Sequence, residues 1–413
     1  MPDIIIEQSQ EVINYINMLK LPVSGALKNH MVHMISGIIT TEGNKNISNV
    51  YSRLTCNRNR SSGSRFLGEY KWSNEYVDYK RINHSLKTVR ENVPEGTVGF
   101  FIVDDTLSKK DNSTKKIEGL DYHHSHSDGK TMWSHCVVTS HYKISEYSLP
   151  LNFKLYLRKQ FFGQKAKKLF KNKQELAMQL IDEFTPVTET TYLLVDAWYT
   201  SGKLMLHALK RGYHTIGRIK SNRVIYPGGI KTNIKEFATH IRSNETCIIR
   251  SNETCIVTAG DDNYYVYRYE GKINDLENTV ILICWSKKDL SDTPAFIVST
   301  DVSLTASTIV GYYQNRWDIE VSYRYHKNSL GFDEYQVESL TSIKRFWSMV
   351  FMTYTFLELF RVSKKRTLKL ETIGDTIGYF RKQYMVCIAK FAYSCAEKGV
   401  SLDDVVAKLG VAA

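Results

Sequence analysis

Two short apolar runs, each closed by an acid, constrain this chain more than any other feature. Val98-Gly-Phe-Phe-Ile-Val103 leads directly into Asp104-Asp105-Thr106, and Tyr192-Leu-Leu-Val195 into Asp196. Uninterrupted apolar runs this short are the pattern of strands buried on both faces, since a strand with one wet face would alternate. Strand-like stretches follow at 132–138 and 147–156. Helical spacing occupies 166–184 and 202–211, where Gly212 supplies a stop before a strand at 213–217. Strands alternating with helices predict an α/β sheet.

The flanks differ in character. From Gln8 to about Glu95 apolar residues recur at three- and four-residue steps, as in Val12, Ile16 and Leu19, and predict helices. Between them the basic stretch Arg58–Arg65, rich in Ser and Gly, reads either as a phosphate-contacting loop or as a solvated linker. From Asn222 to about Asp292 β-branched and aromatic residues predict a β-rich insertion. Inside it an octapeptide, Ile-Arg-Ser-Asn-Glu-Thr-Cys-Ile, occurs in tandem at 241–248 and 249–256. Its even length preserves which face each strand side chain takes, so it reads as a duplication in a surface hairpin. A strand at 295–300 precedes helices that run to the C-terminus. The expected organisation is a helical DNA-binding region at 1–96, a core in two parts at 97–219 and 294–345, the insertion at 220–293 and a helical region at 346–413.

Composition enters as a filter on partners and compartment. With 42% hydrophobic and 24% charged residues, wholesale disorder, collagen-like and coiled-coil architectures are excluded. Seven cysteines without a C-x-x-C pair argue against a disulfide framework and a cysteine zinc site, and fit a reduced, cytoplasmic setting. The most apolar segment, 346–360, contains Ser348, Thr353, Thr355 and Glu358 and reads as a buried helix rather than a membrane span. A net charge of +12 then points to an anionic partner, nucleic acid first. No G-x-x-x-x-G-K-[ST] motif supports a phosphate-binding loop.

Asp105 or Asp196 alone reads as a strand end reaching solvent, where Asp is a common turn residue. The stretch Gly311–Lys327 is more specific. At a helical pitch Tyr313, Arg316, Glu320 and Lys327 fall at roughly 0°, 300°, 340° and 320°, with Arg324 and Trp317 flanking the arc. One Glu among cations and aromatics suits a carboxylate beside a polyanion-binding ridge. An Arg316–Glu320 ion pair on a solvated face explains the charges but leaves the aromatics unexplained.

Tyr313-x2-Arg316-x3-Glu320-x6-Lys327 resembles the YREK signature of the cut-and-paste DDE transposases of bacterial insertion sequences. Val103-Asp-Asp-Thr106 and Leu194-Val-Asp-Ala-Trp-Tyr199 are similar to that family's first and second Asp motifs. The resemblance implies an RNase H-like α/β core interrupted by a β-rich insertion. It also implies two Mg²⁺ ions, replaceable by Mn²⁺, on Asp105, Asp196 and Glu320, and cleavage and strand transfer of double-stranded DNA at transposon ends within a synaptic homodimer, on nucleoid-associated DNA. Asp105 is taken over Asp104 because the family's pattern places Thr directly after the ligand. Tyr313, Arg316, Arg324 and Lys327 are the implied DNA contacts. Phe296 stands nearest to where several members carry a base-stacking Trp. Hard oxygen ligands suit these ions, which would hold apart carboxylates that otherwise repel.

Other constellations are less specific. Asp121–His126 offers metal-ligand residue types without a Cys partner and reads as a polar loop near DNA. The stretch 158–173 holds seven Lys or Arg residues that suit either a phosphate track or a solvated helix. The rival functional reading is a transposase-derived DNA-binding protein that no longer cuts. A carboxylate-pair hydrolase such as a glycosidase leaves the basic helix unexplained.

Overall fold

A computed structural model describes residues 8–52, 60–125, 128–243, 254–259, 262–273 and 276–409. The predicted N-terminal helices are α1 (Gln10–Met18), α2 (Gly25–Thr40), α3 (Ile47–Ser52), α4 (Arg60–Gly68) and α5 (Asn74–Asn92). Ser24 and Ser73 cap α2 and α5 by accepting the backbone N–H groups of Leu27 and Tyr76. The stretch 60–65, expected as a loop or linker, is the first turns of α4, while Arg58 and Asn59 lie outside the described residues. Its glycine serves packing, because a Cβ on Gly63 would stand 2.6 Å from the Tyr51 ring.

The sheet is built from β1 (Gly99–Lys109), β2 (Asp121–Ser125), β3 (Lys130–Ile144), β4 (Tyr147–Tyr156), β5 (Thr191–Val195), β6 (His214–Arg218), β7 (Val224–Ile225), β8 (Thr232–Asn233), β9 (Thr254–Ala259), β10 (Asp262–Ile273), β11 (Leu276–Trp285) and β12 (Ala295–Ser299). These described strands join in the order β2-β3-β1-β5-β6-β12-β11-β10-β7-β8, with β4 on β3 and β9 on β10. β1 is antiparallel to β3 and parallel to β5, and β5 is parallel to β6. The β-rich segment continues this sheet, because β12 pairs with β6 on one side and β11 on the other. It also contains a helix, α9 (Ile234–Ser243), which takes the first three residues of the first octapeptide; the last three of the second open β9, and the rest lie outside the described residues.

Helices cover both faces: α6 (Ala166–Leu169), α7 (Lys173–Asp182), α8 (Gly202–Lys210), α10 (Ala306–Gln314), α11 (Trp317–Asn328), α12 (Leu340–Leu368), α13 (Ile373–Glu397) and α14 (Leu402–Lys408). The helix expected over 166–184 is broken at 170–172, because Asn172 and Glu175 form a reciprocal capping box that starts α7 afresh. Phe101 and Val103 of β1 pack with Leu176, Ala177 and Leu204 of α7 and α8. Phe100 and Ile102 pack with Ile309, Val310 and Ile319 of α10 and α11 on the other face. The apolar stretch 346–360 lies inside α12, where Phe346, Trp347, Val350 and Leu357 are buried against the N-terminal helices in one shared core. No helix among the described residues is long and apolar enough to cross a membrane.

One expectation about β1 is corrected. The strand does not end at Val103 but runs six residues further, paired with β3 as far as Lys109 and Ser134. Only its parallel partner stops, at the Val103–Val195 pair. From Asp104 onward β1 therefore has a ladder on one edge and none to β5 on the other.

A buried ion pair joins the helical layer to the sheet. The Arg81 guanidinium on α5 donates to Pro150 O at 2.7 Å, to Thr355 Oγ1 at 3.0 Å and to Leu151 O, and pairs with Asp78. Burial raises the Asp78 pKa even with Arg81 opposing it. Arg81→Met strands that carboxylate and should lower stability by about 3–5 kcal/mol in chemical denaturation. Adding Asp78→Asn should recover part of the loss; a neutral Arg81→Met would mean the pair holds nothing together.

Candidate active site

Successive side chains of a strand leave on opposite faces, and this separates the two adjacent acids of β1. Asp104 follows Phe100 and Ile102 onto the face covered by α10 and α11, whereas Asp105 follows Phe101 and Val103 onto the face covered by α7 and α8. Asp196 stands one residue past the Val103–Val195 pair and so lies in step with Asp104. Its Oδ1 accepts the backbone N–H groups of Trp198 at 2.9 Å and Tyr199 at 3.0 Å, which fixes the turn after β5.

Glu320 arrives from α11, which is tied to the sheet beside Asp104. Tyr323, one turn further on, hydrogen-bonds through its hydroxyl to Thr139 Oγ1 at 2.6 Å, and Thr139 is the cross-strand partner of Asp104. Asp318 accepts from Ser148 Oγ at 2.8 Å and pairs with Lys143 at 3.5 Å. The signature stretch is not one straight helix. α10 ends at Gln314 and α11 starts at Trp317, so Arg316 sits at the junction and turns toward the sheet.

There its guanidinium bridges two acids, donating to Asp104 Oδ2 at 3.2 Å and to Glu320 Oε1. Burial, together with the charges of Asp196 and Asp105, pushes Asp104 well above the ordinary carboxylate range despite Arg316. Burial alone would lower the Arg316 pKa, but Tyr313, Glu320 and Asp104 hold it raised. The Tyr313 ring lies 5.9 Å from the guanidinium, and burial pushes its phenol up to about 12. Tyr313 Oη and Arg316 Nε are both buried without a hydrogen-bond partner.

Other residues singled out in the sequence lie elsewhere. Asp105 accepts from Lys173 Nζ and Tyr199 Oη, each at 2.8 Å, on the far face. Lys327 donates to Leu107 O at 2.9 Å, and burial lowers its pKa. Phe296 is buried: strand alternation puts it opposite Ile297, in the core with Trp285 and Val298. Arg324 is exposed on α11. His123 is buried on β2, where burial lowers it to about 4, while His126 lies outside the described residues. The family resemblance points to Asp105, whereas the hydrogen bond to Arg316 is made by Asp104, which follows Val103 directly as Asp196 follows Val195.

The donor set suits a hard divalent cation. It consists of carboxylate oxygens only, and a guanidinium already stands between two of them. Among the described residues no three His, Cys, Asp or Glu side chains converge closely enough to ligate one ion as they stand. Arg316 stands between Asp104 and Glu320.

Neighbouring parallel strands β1 and β5 thus each carry an acid past their last paired residue, and α11 brings a third carboxylate to Arg316. Residues 24–235 match the family model of the DDE superfamily endonucleases, and residues 171–356 match the transposase DDE domain. The first match covers just over half of the chain, which therefore belongs to the DDE superfamily of endonucleases. No curated protein matches the chain.

Because its ammonium is held on β1, Lys327 should release no counterion from DNA. Lys327→Met should lower stability by about 1 kcal/mol and leave the slope of log affinity against log salt unchanged for duplex DNA. A slope smaller by about one unit would put this lysine on a phosphate.

Proposed function

We propose that the protein is a cut-and-paste transposase that binds the inverted-repeat ends of an insertion sequence, cleaves the DNA there and joins it to a target. Asp104, Asp196 and Glu320 are the proposed acids, with Asp104 in the place first given to Asp105. The observation that carries this reading is that Asp104 and Glu320 share one cation, the Arg316 guanidinium, while Asp196 adds its charge on the same face. The strand order β4-β3-β1-β5-β6, antiparallel then parallel, supports an RNase H-like core at 97–219 and 294–345, with 220–293 inserted and 1–96 contacting DNA. The family generally uses divalent metal ions, and Mg²⁺, with Mn²⁺ as substitute, is the proposed pair of ions.

When bound, such ions supply the Lewis acidity that activates an attacking hydroxyl and steadies the leaving oxygen of an in-line displacement. The chain's own residues do the rest. Asp104, Asp196 and Glu320 hold the negative charge that retains the ions. Arg316 leaves the acids and turns its planar fork to a phosphate, for which its unpartnered Nε is already a donor. Tyr313 Oη offers a second hydrogen bond to the same backbone. Exposed Arg324 and Trp317 lie along the helix that would face DNA. Synapsis of two ends calls for a homodimer, acting on nucleoid DNA in the cytoplasm.

The adjacent acids of β1 give the test. With a duplex taken from the DNA flanking the coding region, Asp104→Asn and Glu320→Gln should bind ends but lose cleavage by roughly three orders of magnitude or more, as expected when an electrostatic anchor of the reaction is removed. Asp105→Asn should keep measurable cleavage. An active Asp104→Asn beside a dead Asp105→Asn would return the ligand role to Asp105.

A further inference from the structure

Asp105 is not idle. Its Oδ1 accepts from Tyr199 Oη at 2.8 Å, and its Oδ2 accepts from Lys173 Nζ at 2.8 Å and, weakly, from Cys136 Sγ at 3.4 Å. Tyr199 is wholly buried and stands three residues after Asp196 in the turn between β5 and α8. Lys173 is the first residue of α7, and its ammonium lies 5.3 Å from the ring of Trp198 in the same turn. Gln174 donates to Trp198 O at 3.3 Å and accepts from Ser201 Oγ at 2.5 Å. Three elements thus meet at one carboxylate: β1 just after Asp104, the turn just after Asp196, and the start of α7.

The place of this knot matters. Backbone pairing between β1 and β5 ends at Val103 and Val195, one residue before both acids. Among the described residues no β1–β5 pair follows it, and the Tyr199–Asp105 hydrogen bond is a further tie between the two elements at the level of the acids. Asp105 is covalently next to Asp104, and Tyr199 N–H and Trp198 N–H already hold the Asp196 carboxylate. A shift of Tyr199 is therefore passed to both acids.

We infer that Asp105, Lys173 and Tyr199 form a clamp, on the sheet face opposite the site, that sets the spacing of Asp104 and Asp196. They are positioning residues for the reaction proposed above, and the inference rests on that reading. Loss of an outer contact that orients a metal ligand typically costs about ten- to a hundredfold in metal affinity or activity.

The experiment uses the full chain, with Mn²⁺ alone as the probe, read as free Mn²⁺ by electron paramagnetic resonance. Cleavage of the flanking-DNA duplex is titrated with Mn²⁺ in parallel. Tyr199→Phe should weaken Mn²⁺ binding about tenfold, keep a thermal midpoint close to that of the parent, and regain most of the parental cleavage rate at saturating Mn²⁺. Lys173→Met should also weaken binding, although removing a positive charge would by itself tighten it, and Lys173→Arg should rescue. Should Tyr199→Phe fail to fold, the two Lys173 variants decide by the same criterion. Parental Mn²⁺ affinity in Tyr199→Phe and Lys173→Met, beside loss of binding in Asp104→Asn, overturns the clamp and leaves the site reading intact. Parental affinity in Asp104→Asn overturns the site reading itself.

Discussion

Alternation of side chains along β1 is the constraint on which the rest depends. Asp104 and Asp105 are neighbours in sequence, yet the strand sends one to the helices that carry Arg316 and Glu320 and the other to Lys173 and Tyr199. That separation needs the strand to persist past the acids. β3 provides it by pairing with β1 to Lys109, while the end of β5 at Val195 opens the other edge, so that acids from both strands come forward at one level.

Burial then decides the electrostatics. Asp104 is only partly buried, yet its desolvation outweighs the pull of Arg316, and a second and third carboxylate add repulsion. Arg316 relieves part of this by bridging Asp104 and Glu320. A guanidinium suits two carboxylates at once because it is always charged and offers a planar set of donors. Of the two partners Glu320 is the more open to solvent, with its side chain one-third exposed at 33%.

Much of the fold was legible in the sequence, since short apolar runs and helical spacing depend on burial, which leaves a direct mark. The mixed α/β character, the helical termini and the buried 346–360 helix are examples. Features set by partners distant in sequence were not legible. The extension of β1 depends on β3, and the fate of Lys327 depends on the carbonyl of Leu107, 220 residues upstream. The helix in 60–65 was hidden because its Ser and Gly imitate a turn, whereas the glycine is there for the Tyr51 ring. One signal was present but outweighed, the Asn172–Glu175 capping box that restarts the helix at Lys173. At the acids, motif resemblance favoured the residue before Thr106, and strand alternation favours the other.

The most direct measurement is anomalous diffraction at the manganese edge from crystals of the protein with Mn²⁺. The expected result is anomalous density between Asp104, Asp196 and Glu320, with Arg316 withdrawn and Asp105 still on Lys173 and Tyr199. Density on Asp105, or none beside Asp104 at a concentration that supports cleavage, would contradict it.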